Sequence, residues 1–260
     1  MSLNNMRNFF PIAAFGILLL NACNSKTDSS PVFPAVLPPA SSQSGTGTCE
    51  NELLPAVQGA TWTYTSVGGP NGDSSYTDTI SETHQGGFTL TSQFPNLSFT
   101  QEWLCAPEGL IAHQLGGGTT ASVSMQNMIS GFKTIEVHGL SLPANISPGQ
   151  TWDYKLIMEG SVSTPGGTTQ SPGNFNLTMQ ELGTENVTVP AGTFDATRIQ
   201  ATFSAQISID FQGSLVPYQI NGTSLIWYAR GVGYIKSIEN IDFSGTTFTS
   251  TTELQTYNIP

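Results

Sequence analysis

The chain has 260 residues, only 10% of them charged, and its 18 acidic against 7 basic side chains give a net charge of −11. A chain this acidic has no electrostatic footprint for nucleic acid and is repelled by anionic lipid, which excludes DNA or RNA binding and adsorption to a membrane through the protein surface. Apolar residues make up 38%, enough for a packed core at this length.

The first predicted element is an export signal. Arg7 is the only charge ahead of an apolar run at residues 9–20, broken only by Pro11 and Gly16. A positive start, a short apolar stretch and small residues before a cut have the layout of a secretory signal, and the run falls short of the about 20 residues a membrane span needs. It closes on Leu20-Asn21-Ala22-Cys23, which has the form of a bacterial lipobox. Residues 1–22 are therefore expected to be removed, leaving Cys23 as the lipid-bearing first residue. More than one acyl chain, palmitate among them, would anchor the protein stably at about 0.8 kcal/mol per buried CH₂. Asn24 follows; by resemblance to enterobacterial lipoproteins a residue other than Asp there favours the outer membrane, on its periplasmic or its surface face.

Residues 23–48 read as a tether. They are rich in Ser, Pro, Gly and Thr, with Lys26 and Asp28 the only charges. The few apolar residues alternate with Pro31, Pro34, Pro38 and Pro39, so no face can be buried. A flexible coil of this length spans about 28 Å.

Only Cys49 and Cys105 remain beyond Cys23. Two cysteines in an exported domain allow one pairing, and closing that loop contributes roughly 4 kcal/mol. Free thiols are disfavoured in an oxidising compartment, and two cysteines alone make a poor metal site.

The rest of the chain repeats itself. Leu54-Pro55-Ala56 leads through Gly59 to Thr61-Trp62-Thr63-Tyr64, and Leu142-Pro143-Ala144 leads through Gly149 to Thr151-Trp152-Asp153-Tyr154. Trp103 precedes Gly109-Leu110-Ile111 by the same interval that separates Trp227 from Gly233-Tyr234-Ile235. All four tryptophans of the chain fall at matching places, in the same order. This argues for two related tandem β units, 49–140 and 141–260.

Strand signals are clear. From Ile199 to Phe211 apolar and polar residues alternate without exception, the pattern of an antiparallel strand with one face on a core and one in water. Shorter strands are predicted at 61–67, 75–82, 87–93, 98–104, 134–138, 151–159, 175–182, 186–189, 224–228, 233–239 and 246–257, separated by Gly/Pro/Asn clusters. Pro190-Ala191-Gly192 has the residues of a type I hairpin turn. The sole helix candidate, 121–129, is poor in helix formers. The expected fold is all-β, with antiparallel curved sheets forming a sandwich or half-barrel.

The run Val189-Pro190-Ala191-Gly192-Thr193-Phe194, followed by Trp227-Tyr228-Ala229-Arg230-Gly231-Val232-Gly233-Tyr234-Ile235-Lys236, resembles the exported bacterial β proteins labelled TapB-like. The resemblance covers about 141–240 and implies fold and export. That family carries no established activity.

Chemistry is sparse. There is no Gly-x-Ser-x-Gly elbow and no His-Glu-x-x-His, and His84, His113 and His138 stand alone. Gly116-Gly117-Gly118 and Gly231-Val232-Gly233 lack the residues of phosphate or dinucleotide loops and read as turns. A carboxylate pair remains open, because sequence spacing does not reveal spatial separation. The expectation is a non-catalytic envelope lipoprotein without metal or cofactor, held at the membrane by its lipid anchor, that binds an apolar or glycan ligand or an envelope protein. The alternatives are a structural or adhesive surface lipoprotein, and a hydrolase whose site the fold assembles. Trp62, Trp103, Trp152 and Trp227 are expected to fill the core, as aromatics at strand starts do, and are otherwise the candidate ligand contacts.

Overall fold

The computed structural model describes residues 49–69, 72–115, 132–164, 167–211 and 214–260. The signal, the lipobox with Cys23, the tether and the helix candidate at 121–129 lie outside the described residues. Within them the chain forms thirteen strands: β1 (Thr61–Gly68), β2 (Ser74–His84), β3 (Gly87–Gln93), β4 (Ser98–Ala106), β5 (Gly109–Ala112), β6 (Lys133–Gly139), β7 (Leu142–Pro143), β8 (Thr151–Thr164), β9 (Gly167–Val189), β10 (Gly192–Phe211), β11 (Ser214–Ala229), β12 (Gly233–Phe243) and β13 (Thr246–Asn258). All pair antiparallel in one sheet, ordered β6-β8-β9-β10-β11-β12-β13-β1-β2-β3-β4-β5-β7. The all-β, antiparallel expectation is met, in a single large curved sheet not closed into a barrel.

The repeated motifs fall on strands of equal rank. Trp62 and Trp152 open β1 and β8, Trp103 and Trp227 lie on β4 and β11, and Gly109 and Gly233 begin β5 and β12. Each half is a five-strand meander, and the two are joined by β13, which pairs with β12 on one side and β1 on the other.

Two features depart from the sequence reading. The stretches at 175–182 and 186–189 belong to one strand, β9, which runs through Pro172, Gly173 and Gly183. Gly173 is paired with β8 and β10, Pro172 with β8, and Gly183 lies at a register shift against β10, so the strand continues across positions that read locally as breaks. The hairpin at Pro190-Ala191 connects β9 to β10, with Val189 paired to Gly192 as the turn residues require. Strands β5 and β7 are too short to produce a period and exist because neighbours pair with them.

The sheet curls until its second and twelfth strands touch: the Tyr154 hydroxyl on β8 donates to the carbonyl of Ala112 on β5 at 2.6 Å. Side chains of the inner face form two core clusters, one around Trp62, Phe88, Ile235 and Leu254, the other around Leu156, Ile199, Phe203 and Ile241. Burial of this order, at about 25 cal/mol per Å² of apolar surface, is the main stabilising term. The Cys49–Cys105 disulfide is formed, and Cys105 is fully buried on β4.

The two edges of the sheet are tied by one short stretch of chain. Residue 139 ends β6 against β8, and residue 142 begins β7 against β5. Between them Leu140 N–H donates to Asp153 O at 3.1 Å, and Ser141 N–H to Leu110 O at 3.0 Å. The Ser141 hydroxyl accepts from Ala112 N–H at 2.9 Å. Backbones approach so closely here that side chains are excluded: a Cβ at Gly139 would run into Asp153 O, and one at Gly109 into Leu142 O. Gly139 also has φ +76°, which penalises any other residue. Gly139→Ala is therefore expected to cost at least about 2 kcal/mol, lowering Tm by roughly 4–8 °C in calorimetry. An unchanged Tm would show that the crossover does not constrain the sheet.

Candidate functional site

The predicted site residues go mostly into the core. Trp62 is 1% exposed and its Nε1 donates to Val232 O at 2.6 Å. Trp227 is buried and donates to Glu185 Oε1 at 2.7 Å. Trp152 is buried, with no hydrogen-bond partner for Nε1 among the described residues. Trp103 is half-buried, stacks on Phe88 at 5.6 Å and donates to Gln101 Oε1 at 3.0 Å. Trp62 and Trp227 belong to the first cluster, Trp152 to the second, and Trp103 packs against both. The fold does not gather them into one groove. The histidines are dispersed: His84 faces Glu102 at 3.4 Å, His138 faces Glu136 at 3.0 Å, and His113 lies beyond the end of β5. Among the described residues no three His, Cys, Asp or Glu side chains gather as metal ligands do.

Two other arrangements stand out, and sequence reasoning anticipated neither. The first is a polar seam inside the sheet. Ser66 of β1, Thr252 of β13 and Ser237 of β12 share one inward-facing row, with the Ser66 and Thr252 hydroxyls 3.0 Å apart. The Tyr234 hydroxyl lies 2.7 Å from Ser237 Oγ, and Tyr64 donates to Tyr234 O at 2.9 Å. Tyr64 and Tyr76 stack at 5.0 Å. Two carboxylic acids face inward as well: Asp78, which accepts from Ser92 Oγ at 2.5 Å, and Glu239, which accepts from Ser250 Oγ at 3.3 Å.

Burial governs protonation here. It pushes the Asp78 carboxyl up to about 7, against the Ser92 hydrogen bond, which lowers it. Burial, reinforced by Tyr234, Asp78, Tyr64 and Glu239, holds the Tyr76 phenol well above its ordinary range. The Tyr76 hydroxyl is buried without a hydrogen-bond partner among the described residues. The seam is thus a set of neutral hydroxyls around an acid that holds a proton close to neutral pH. Its signal in the sequence was polar residues at inward positions of alternating strands, as in Tyr76-x-Asp78-x-Ile80 and Ile235-x-Ser237-x-Glu239-x-Ile241.

The second arrangement covers the outer face. Asp153, Thr178, Thr202, Thr223, Asn240 and Thr249 stand directly opposite one another across six strands, β8 to β13, and all six are exposed. Thr178 donates to Asp153 Oδ1 at 2.6 Å and Thr249 to Asn240 Oδ1 at 2.8 Å. The next row reads Lys155, Asn176, Ser204, Asn221, Asp242 and Thr247. A concavity of about 550 Å³ lies over β8, β9 and β10 on this face, lined by Lys155, Asn174, Asn176, Gln206 and Ser208 beside Ile157.

Comparison with known proteins adds a family. The DUF3108-like family matches residues 117–254, more than half of the chain. The chain belongs to the DUF3108-like family. The match takes in β6 to β12 and most of β13, and leaves β1 to β5 outside. None of the curated proteins matches the chain. Among solved structures, a Bacteroides fragilis protein described as exported with a YmcC-like fold aligns at 13% identity, covering 80% of this chain and all of its own, with a TM-score of 0.48. A protein from Parabacteroides distasonis described as a lipoprotein aligns at 15% identity over 80% of this chain and 99% of its own, TM-score 0.48. The hypothetical lipoprotein YmcC of Escherichia coli aligns at 11% identity over 80% and 87%, TM-score 0.33.

Asp78 gives the domain an unusual pH dependence. With the folded pKa raised from 3.8 to about 7, the folded state holds a proton that the unfolded state has released between those values. Its contribution is present in full below the unfolded pKa and is lost as pH rises towards 7. Asp78→Asn is expected to remove this fall, leaving the variant more stable than the parent by roughly 3–4 kcal/mol at pH 8, with little difference at pH 4. Urea unfolding of both proteins across that range checks it, and parallel stability curves would show that Asp78 titrates normally.

Proposed function

We propose that this protein is a lipid-anchored protein of the bacterial cell envelope that acts by binding, not by catalysis, through the outer face of its sheet. The observation that carries the reading is the contrast between the two faces. The inner face is filled by large side chains such as Trp62, Phe88, Ile199 and Leu254, each under 2% exposed. The outer face of β8 to β13 presents registered rows of hydroxyl and amide groups, with few charges. Partners that meet such rows exchange hydrogen bonds with water for hydrogen bonds with protein at little desolvation cost. The lipobox ending at Cys23 supports export and anchoring, and the 189–194 and 227–236 motifs, which resemble those of TapB-like exported proteins, support export. The descriptions of the three structural neighbours agree with that placement, and Asn24 favours the outer membrane.

A second reading, a spacer or adhesive surface module, draws on the same closed inner face, since a domain that only presents a surface needs no internal cavity.

Two measurements test the proposal. Labelled palmitate is expected to enter the protein in its host and to be lost in Cys23→Ser, which moves from the detergent phase to the aqueous phase on phase separation. An unlabelled, aqueous parent protein would remove the anchor. A photo-crosslinking amino acid at Thr202 or Thr223 in intact cells is expected to give discrete adducts, whereas Val67, exposed on β1, gives none. Equal labelling at all three positions would favour the spacer reading.

A further inference from the structure

We infer that the concavity over β8, β9 and β10 is a subsite for a neutral, polyhydroxylated ligand, the chemistry of an uncharged glycan. This rests on the outer face being the binding face and assigns its occupant.

Three primary amides converge there. Lys155 stands opposite Asn176, and Ile157 opposite Asn174, which in turn stands opposite Gln206. Ser208 follows two residues along β10 and lines the same hollow. Among the described residues, the one side-chain hydrogen bond between these groups joins Asn176 Nδ2 to Asn174 Oδ1 at 3.3 Å. The Lys155 amine forms no ion pair within the described residues, although Lys236 on the same face is bound to Glu253 at 2.7 Å. Most of the donor and acceptor capacity in the hollow is therefore open to a ligand.

The mixture of groups selects its chemistry. Each amide both donates and accepts, as does each sugar hydroxyl, so adjacent hydroxyls can be met in pairs along a strand-spaced row. A polyanion would find a single cation among several acceptor oxygens. An acyl chain would strip water from the amides and give no hydrogen bond in return. The Ile157 side chain and the Pro172-Gly173 stretch supply an apolar strip for the C–H face of a ring. The volume, about 550 Å³, falls in the range of small-ligand sites.

The test is saturation-transfer NMR on the full chain in detergent micelles, with maltotriose, mannotriose and chitotriose as probes and an uncharged tetrapeptide as comparison. At least one saccharide is expected to bind, with Kd on the order of 1 mM for one open subsite. Asn176→Ala combined with Gln206→Ala is expected to weaken it about tenfold, through loss of two hydrogen-bonding side chains. Lys155→Ala, as a separate variant, is expected to weaken it less, by roughly threefold. All three residues are exposed on the outer face, so these variants should melt with the parent.

Saccharide binding that survives the double variant would locate the glycan elsewhere and overturn the assignment. So would no saccharide signal from the parent, or a signal from the peptide alone. Adducts from Thr202 or Thr223 in cells, with no saccharide signal, would leave the outer face as a binding face and remove only its glycan.

Discussion

A sheet of thirteen strands with apolar side chains on one face must turn that face away from water, and an open sheet leaves two edges where pairing ends. Here both edges are held by the chain between Gly139 and Leu142, which leaves β6 beside β8 and enters β7 beside β5 within three residues. The approach of backbones at Gly139 and Gly109 allows the crossover, and the crossover holds β8 against β5 closely enough for Tyr154 to reach Ala112 O. The opposite contact is built alike: Trp62 and Tyr64 of β1 bond Val232 O and Tyr234 O at the start of the last strand of the second meander. Each half thus places an aromatic from its first strand on the last strand of the other. Packing of the two cores, and the separation of inner from outer face, depend on this reciprocal closure.

The repeat is not exact where hydrogen bonds are concerned. Trp62 and Trp152 occupy equivalent places in sequence and in the meander, yet the first indole has a carbonyl partner and the second has none among the described residues. The polar seam is equally one-sided. Asp78, Tyr76 and Ser92 gather on the inner face of the first meander, facing Tyr234 and Glu239, while the corresponding interior of the second holds Leu156, Phe175 and Phe203. The first core cluster therefore borders an acid that holds a proton close to neutral pH, and the second cluster is built of apolar and aromatic side chains. The two meanders share their strand order and differ in what fills them.

Much of the fold was legible because alternation survives wherever one face is buried. Residues 199–211 show it in pure form, and β3 matches its predicted bounds. Long-range pairing hid the rest. Pro172 and Gly183 look like strand ends to a local reading, yet Pro172 is paired to Glu159 of β8 and Gly183 lies at a register shift against β10. The polar seam was invisible for a related reason: a period of two separates the faces of a strand but does not say which faces inward when both carry polar groups, as in β12 with Ser237 and Glu239. The registered outer rows depend on the pairing of six strands, which no single segment encodes. The disulfide was legible from the count of cysteines alone.

That disulfide also decides how the domain responds to a pull. Residues 49–54 are stitched down at separate points: Cys49 to Cys105 on β4, Asn51 to Pro143 O on β7, and Glu52 to Arg230 at the turn between β11 and β12. Tension arriving along the chain before Cys49 passes through the sulfur bridge into a strand paired on both sides. Mechanical load therefore enters the sheet at β4 through a covalent shortcut, in parallel with the chain that leads on to β1.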